Sequence, residues 1–231
     1  RLCRNSVHGS TGSPRTDGDT PKFKDLAVRP EALEGRTAKC ETVCDGGEGE
    51  IERGWSSRVR VAIVSDTHGF LDPRIAEIVA LCDVAVHAGD IGGAGVLKGL
   101  LPQRRKVLAV RGNNDTVEKW PPGEGDLLHK LPFEATMDLP GGRLVVVHGD
   151  RAGTAQIRHD RLRRKYPSAR AIVYGHSHRL ICDKAKTPWV LNPGSAGRSR
   201  TFGGPSCLLL VASQKNWRVE KVRFKNQAAR R

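Results

Sequence analysis

The chain has 231 residues, 38% of them hydrophobic, enough for one well-filled core and one further segment. No apolar run approaches the roughly 20 residues of a membrane helix, and residues 1–20 lack the apolar centre of a secretory signal, so no membrane association is expected. The net charge of +14 is unevenly spread: residues 1–57 carry 9 Lys and Arg against 10 Asp and Glu, and the remainder carries 30 against 15. That basic part suits anions such as phosphoesters, nucleotides or nucleic acid, or serves solubility alone.

Residues 1–57 are rich in Gly, Ser, Thr, Pro and mixed charge. They read as a disordered N-terminal extension with room for a short helix around Arg29 to Ala38. Cys40 and Cys44 form a C-x3-C pair with no second pair downstream, which reads as free thiols rather than a zinc site. Cys82, Cys182 and Cys207 sit in apolar runs as small hydrophobes, and the cysteine usage fits a reducing cytoplasm.

From Arg58 the text changes, and one domain is expected over residues 58–231. Val59–Val64 is a buried strand ending in Asp66-Thr67-His68-Gly69. Asp72 caps a helix running to Leu81, with Pro73 at its first position and Ile75, Ile78, Val79 and Cys82 facing inward. Val84–His87 is a second strand, followed by Gly89-Asp90; Gly95–Leu101 is a short helix stopped by Pro102. Lys106–Val110 is a third strand, ending in Arg111-Gly112-Asn113-Asn114-Asp115. Pro121-Pro122-Gly123 opens a loop. Ala135–Leu139 and Leu144–Val147 form a hairpin around Pro140-Gly141-Gly142, and the second of them ends at His148-Gly149-Asp150. A helix over Thr154–Tyr166 leads to strand Ala171–Tyr174 and then Gly175-His176-Ser177-His178. Four further strands follow: Leu180–Lys184, Trp189–Asn192, Ser206–Ala212 and Trp217–Phe224. Strands alternating with helices argue for stacked α and β layers.

Five strands thus end in residues of ligand type: Asp66 and His68, Asp90, Asn113, His148, and His176 with His178. In layered α/β folds, strand ends on one edge face a common crevice. Two carboxylates, one amide oxygen and four imidazoles suit two divalent transition metals better than Ca²⁺ or Mg²⁺ alone. A carboxylate from a central strand can bridge such a pair. Taken singly, each ending has a plainer reading as a turn or a core histidine; five together make coincidence a poor explanation.

The motif order SDTHG, HAGD, VRGNND, VVHGD, YGHSH resembles the calcineurin-like metallophosphoesterases, over about Arg58 to Phe224. The VRGNxD form and the LNPGS stretch, Leu191–Ser195, resemble the small bacterial and archaeal phosphodiesterase branch, to which the retromer scaffold subunit is related. The resemblance implies a four-layer α/β/β/α sandwich with a dimetal centre between the sheets. It implies that Asp66, His68 and His178 hold one metal, that Asn113, His148 and His176 hold the other, and that Asp90 bridges. It also implies Mn²⁺, with Ni, Fe or Zn as alternatives, and hydrolysis of a phosphoester by a metal-bound hydroxide attacking in line. Asp90, Asn113 and Asn114 are the residues expected to act in catalysis. Many family members have His where this chain has Asn114, and Asn114 cannot supply a proton to a leaving group. Losing that general acid costs roughly 10²–10⁴ in rate on poor leaving groups, so activated or strained phosphodiesters are the expected substrates. Asp115 reads either as orienting a ligand or Asn114, or as a turn residue.

Arg158, Arg161 and Lys165 share a helix face by spacing. With Arg151, and with Asn114 near the metals, Arg158 and Arg161 are candidates to bind substrate; a solvated face is the plainer alternative. Arg179, Arg198 and Arg200 near the last motif are further options. The reading is a small phosphodiesterase acting on a small or nucleotide-like substrate, in a chain that can form a homo-oligomer. A non-catalytic scaffold on the same fold and a nuclease are the alternatives. With only 5% aromatic residues, a single-strand binding surface is not favoured.

Overall fold

Every strand of the central part obeys the period of two, and that alternation explains the architecture in the computed structural model, which describes residues 57–226. The helix near Arg29, the Cys40/Cys44 pair and nearly all of the 1–57 extension lie outside the described residues.

Two mixed five-stranded sheets face each other. The first contains β1 (Arg58–Val64), β2 (Val84–His87), β3 (Lys106–Ala109), β9 (Ser206–Ser213) and β10 (Trp217–Arg223), in the order β10-β9-β1-β2-β3. The second contains β4 (Glu134–Leu139), β5 (Gly142–Val147), β6 (Ala171–Val173), β7 (Leu180–Asp183) and β8 (Trp189–Pro193), in the order β4-β5-β6-β8-β7. In each sheet three strands run parallel: β1, β2 and β3 in one, and β5, β6 and β8 in the other. The expected hairpin is present, with Leu139 opposite Gly142 across a two-residue Pro140-Gly141 turn.

Odd and even residues of one strand go to different layers. On β1, Val59, Val61 and Ile63 enter the core between the sheets, while Ala62 and Val64 face the other way. On β5, Leu144 and Val146 meet the first sheet, and Val145 and Val147 face outward. A fully buried Val, Leu or Ile of this kind contributes roughly 1.5–3 kcal/mol of burial energy, offset by the entropy of ordering it. Trp217 ties the layers at one end: its ring lies in the inter-sheet core and its Nε1 donates to Pro140 O at 2.8 Å.

Helices cover both outer faces, giving four layers. α1 (Pro73–Ala80), α2 (Ala94–Gly99) and α3 (Gly125–Lys130) cover the first sheet through Ile75, Ile78, Val79, Val96, Leu97 and Leu128. Asp72 caps α1 as expected, accepting from Arg74 N at 3.0 Å and from its guanidinium at 2.7 and 2.9 Å. α4 (Ala155–Lys165) covers the second sheet through Leu162. The sequence reading missed α3, because six residues with only Leu128 buried leave no periodicity to detect. Cys82 and Cys207 are buried in the first outer layer, and burial pushes both thiols up to about 12. Among the described residues no helix is long and apolar enough to cross a membrane.

Candidate metal centre

The parallel strands β1, β2 and β6 stop where the chain turns left-handed. Asp66, His68, Asp90, His176 and His178 have φ of 53°, 47°, 55°, 61° and 55°. Asp and His tolerate this region better than most residues, yet it still strains them. Two glycines let the turns approach: a Cβ on Gly89 would lie 2.6 Å from His148 Nδ1, and one on Gly112 would lie 2.3 Å from Asp90 Oδ1.

Four side chains form the tighter group. Ligand atoms of Asp66, His68, Asp90 and His178 all lie within 4.8 Å of one another. His178 Nε2 is 3.3 Å from both Asp66 Oδ1 and His68 Nε2, and the two imidazoles stack. Asp66 is fully buried, and burial pushes its carboxyl up to about 7. Burial also pulls His178 down to about 4 and lowers His68, so both rings are neutral. His178 Nδ1 lies 3.3 Å from Ser199 O, which directs its proton there and leaves Nε2 with a lone pair. Two neutral ring nitrogens this close, next to a carboxylate, form a donor set that fits a divalent cation.

The second group shares Asp90. His148 Nε2 and His176 Nδ1 each lie 3.0 Å from Asn113 Oδ1, and His148 Nε2 is 3.4 Å from Asp90 Oδ1. The other carboxylate oxygen, Oδ2, is 3.8 Å from His68 Nε2, so Asp90 stands between the groups. Burial alone would lower His148, but Asp90 outweighs it and holds the ring protonated up to about 9. Asp90, whose burial would raise it, is kept below the usual carboxylate range by His148 and by Asn114. A proton on His148 here supplies the positive charge that a cation could supply instead.

Asn114 donates to Asp90 twice, from N at 2.8 Å and from Nδ2 at 2.7 Å, while Lys119 Nζ donates to Asn114 Oδ1 at 2.5 Å. Asp115 does not orient the Asn114 side chain. It is fully buried, and its carboxylate accepts from the N–H groups of Ile91, Gly92 and Gly112 and from Trp120 Nε1. It therefore fastens the Asp90 turn to the Asn113 turn. The LNPGS stretch does the same for the other two turns. Asn192 donates to Gly175 O at 2.7 Å, and Ser195 Oγ donates to Asp66 O at 2.8 Å. Ser65 Oγ shares its one proton between Asp66 Oδ2 at 2.6 Å and Gly194 O at 2.8 Å.

The expected basic face of α4 is split. Arg158 is 7% exposed and donates to Gly153 O at 2.9 Å, with its guanidinium over the Tyr174 ring. It turns inward because Leu162, one helical turn on, anchors that side of the helix. Arg161 and Lys165 instead line a cleft beside His148, together with Arg111, Phe133 and Arg151. Arg179 and Arg198 lie over the Phe202 and Phe70 rings, whereas the charge of Arg200 reaches His68 and His178.

Two facing mixed sheets with helices outside, and Asp, His and Asn donors converging at one edge, define a metallophosphoesterase type of fold. The chain belongs to the calcineurin-like phosphoesterase superfamily, whose domain matches residues 59–215. A probable metallophosphoesterase of Methanocaldococcus jannaschii is 26% identical over 144 residues, covering 58% of this chain and 67% of that protein. A phosphodiesterase of the same organism is 23% identical over 171 residues, covering 69% of this chain and 97% of that protein. Among solved structures, vacuolar protein sorting 29 from Cryptosporidium parvum shares the fold with a TM-score of 0.55 at 18% identity, covering 73% of this chain and 99% of that one. A predicted phosphoesterase from Streptococcus pneumoniae shares it with a TM-score of 0.52 at 20% identity, covering 72% and 90%.

Proposed function

We propose that the protein is a dimetal-dependent phosphodiesterase acting on small or nucleotide-like substrates in the cytoplasm. The observation that carries this reading is the placement of Asp90, with one oxygen toward His68 and the other toward His148. Asp66, His68 and His178 would hold one cation, and Asn113, His148 and His176 the other. Mn²⁺ suits this mixture of imidazole, carboxylate and amide oxygen. When bound, two such cations lower the pKa of water and neutralise charge on a phosphoryl group.

The chain's own residues supply the order. Asn114 fixes the Asp90 carboxylate through two hydrogen bonds, and so is a positioning residue here. His148 Nδ1 lies 2.8 Å from Ala88 O, which directs Nε2 toward Asn113 and Asp90. No neutral-pH acid stands in place of Asn114, which supports a preference for good leaving groups.

A docking scaffold is the second reading, favoured by the likeness to vacuolar protein sorting 29. That protein from Chaetomium thermophilum, with a TM-score of 0.53 at 16% identity, was solved with a bound cyclic peptide.

The deciding experiment is hydrolysis of bis-p-nitrophenyl phosphate and of p-nitrophenyl phosphate, with and without Mn²⁺. Turnover that needs the metal and favours the diester is expected. Metal binding without turnover of either ester by Mn²⁺, Ni²⁺, Fe²⁺ or Zn²⁺ would move the reading to the scaffold.

A further inference from the structure

The cleft beside His148 has a volume of about 200 Å³. That is below the roughly 300–1,000 Å³ of sites that enclose a whole ligand, so it can accept one arm of a substrate. It lies beside the second donor group: His148 is one of its lining residues, while Asn113 and His176 are outside it. Four cations line it, Arg111, Arg151, Arg161 and Lys165, against two carboxylates, Glu134 and Asp150.

The cations differ in what they have left to give. Lys165 is paired with Glu134. Arg111 spends Nε on Asp115 O at 2.8 Å, and its terminal nitrogens make no ion pair among the described residues. Arg151 touches Asp150 only at 3.9 Å. Arg161 makes no ion pair among the described residues. Phe133 is 45% exposed, and its ring carries the Arg151 guanidinium at 3.9 Å and that of Arg111 at 5.5 Å. Stacking on one ring holds two guanidiniums without using their N–H donors. Planar forks with spare donors suit a phosphate, which they can bind in a bidentate manner.

We propose that this cleft is a second phosphate subsite, so that the favoured substrate is a phosphodiester carrying a further phosphate group, of nucleotide type. The proposal rests on the phosphodiesterase reading for its kinetic consequence, but phosphate binding in the cleft stands on its own.

Two p-nitrophenyl diesters make a matched test: thymidine 5′-(p-nitrophenyl phosphate) and the same compound with a 3′-phosphate. With Mn²⁺, the wild-type protein is expected to show a KM about tenfold or more lower for the phosphorylated compound. The Arg151→Ala/Arg161→Ala double variant should lose that preference, Arg151→Lys/Arg161→Lys should keep part of it, and Lys98→Ala, outside the cleft, should keep all of it. Equal KM values in the wild type, or an undiminished preference in the double alanine variant, would overturn the subsite. If no diester turns over, the phosphodiesterase reading fails, and binding alone decides the subsite. Calorimetric titration of metal-depleted protein with inorganic phosphate should then be about tenfold weaker in the double alanine variant, and equal affinity would refute the proposal.

Discussion

Asp66 and His178 are set more deeply than Asn113 and His176, while the third pair runs the other way, His68 half-buried and His148 buried. Asp66 and His178 are buried, while Asn113 lies at the surface and His176 is half-buried. The first group has a carboxylate of its own besides Asp90; the second has an amide oxygen and two imidazoles, which bring no negative charge to a cation, and lies beside the basic cleft. Charge and enclosure favour tight holding of a cation on one side. Donors without negative charge and an open face favour exchange and substrate access on the other. The two groups are therefore expected to differ in affinity, with the first filling before the second.

The strongest way to break this comparison is at the shared residue. Asp90→Asn should impair both groups, lowering metal-dependent diester hydrolysis by about 10³-fold or more, with metal content read by elemental analysis. One step down, His178→Ala should remove the tight phase of a Mn²⁺ titration, a loss of about 10²-fold or more in affinity, while His148→Ala should spare it. If both variants lost the same phase, the division into a tight and a loose half would be wrong. Ser65→Ala takes away only the hydroxyl beside Asp66 and should weaken the tight phase by about 10–100-fold.

The smallest step, taken per pH unit, is in acidity. A cation must displace a proton from Asp66, raised to about 7, and from His148, raised to about 9. Both raised groups keep their protons below those values, so affinity falls with falling pH by up to about tenfold per unit for each. The tight phase should level off above about pH 7 and the weak phase only near pH 9. Coincident profiles in calorimetry would erase the distinction.

Much of this arrangement was legible because strands that end in Asp, His or Asn leave a signal that survives without coordinates. The alternation of Val59, Val61 and Ile63 with Ala62 and Val64 likewise forecasts a strand buried on both faces. What stayed hidden is chiefly the work of side chains on distant backbone. Asp115 accepts from Ile91 and Gly92, 24 and 23 residues away, and no residue pattern records an amide N–H. Ser195 bonds to the Asp66 carbonyl 129 residues away, for the same reason beyond reach of spacing arguments. Arg158 is different: the signal existed. Leu162 is the buried apolar residue of α4, and its i−4 neighbour had to share its side, whatever the charge pattern suggested.

The five left-handed donor residues, in three turns, have a consequence for how such a protein would drift. Each non-glycine residue there costs about 1–2 kcal/mol relative to glycine, and Asp66 adds the burden of a carboxyl buried out of water. Glycine at these positions would ease the backbone, but at Asp66 and Asp90 it would also give up the hydrogen bonds accepted from Ser65, His176 and Asn114. On this fold, holding a donor set carries a standing cost in backbone strain, and a lineage released from metal binding would be free to relax it first at His68, His176 and His178.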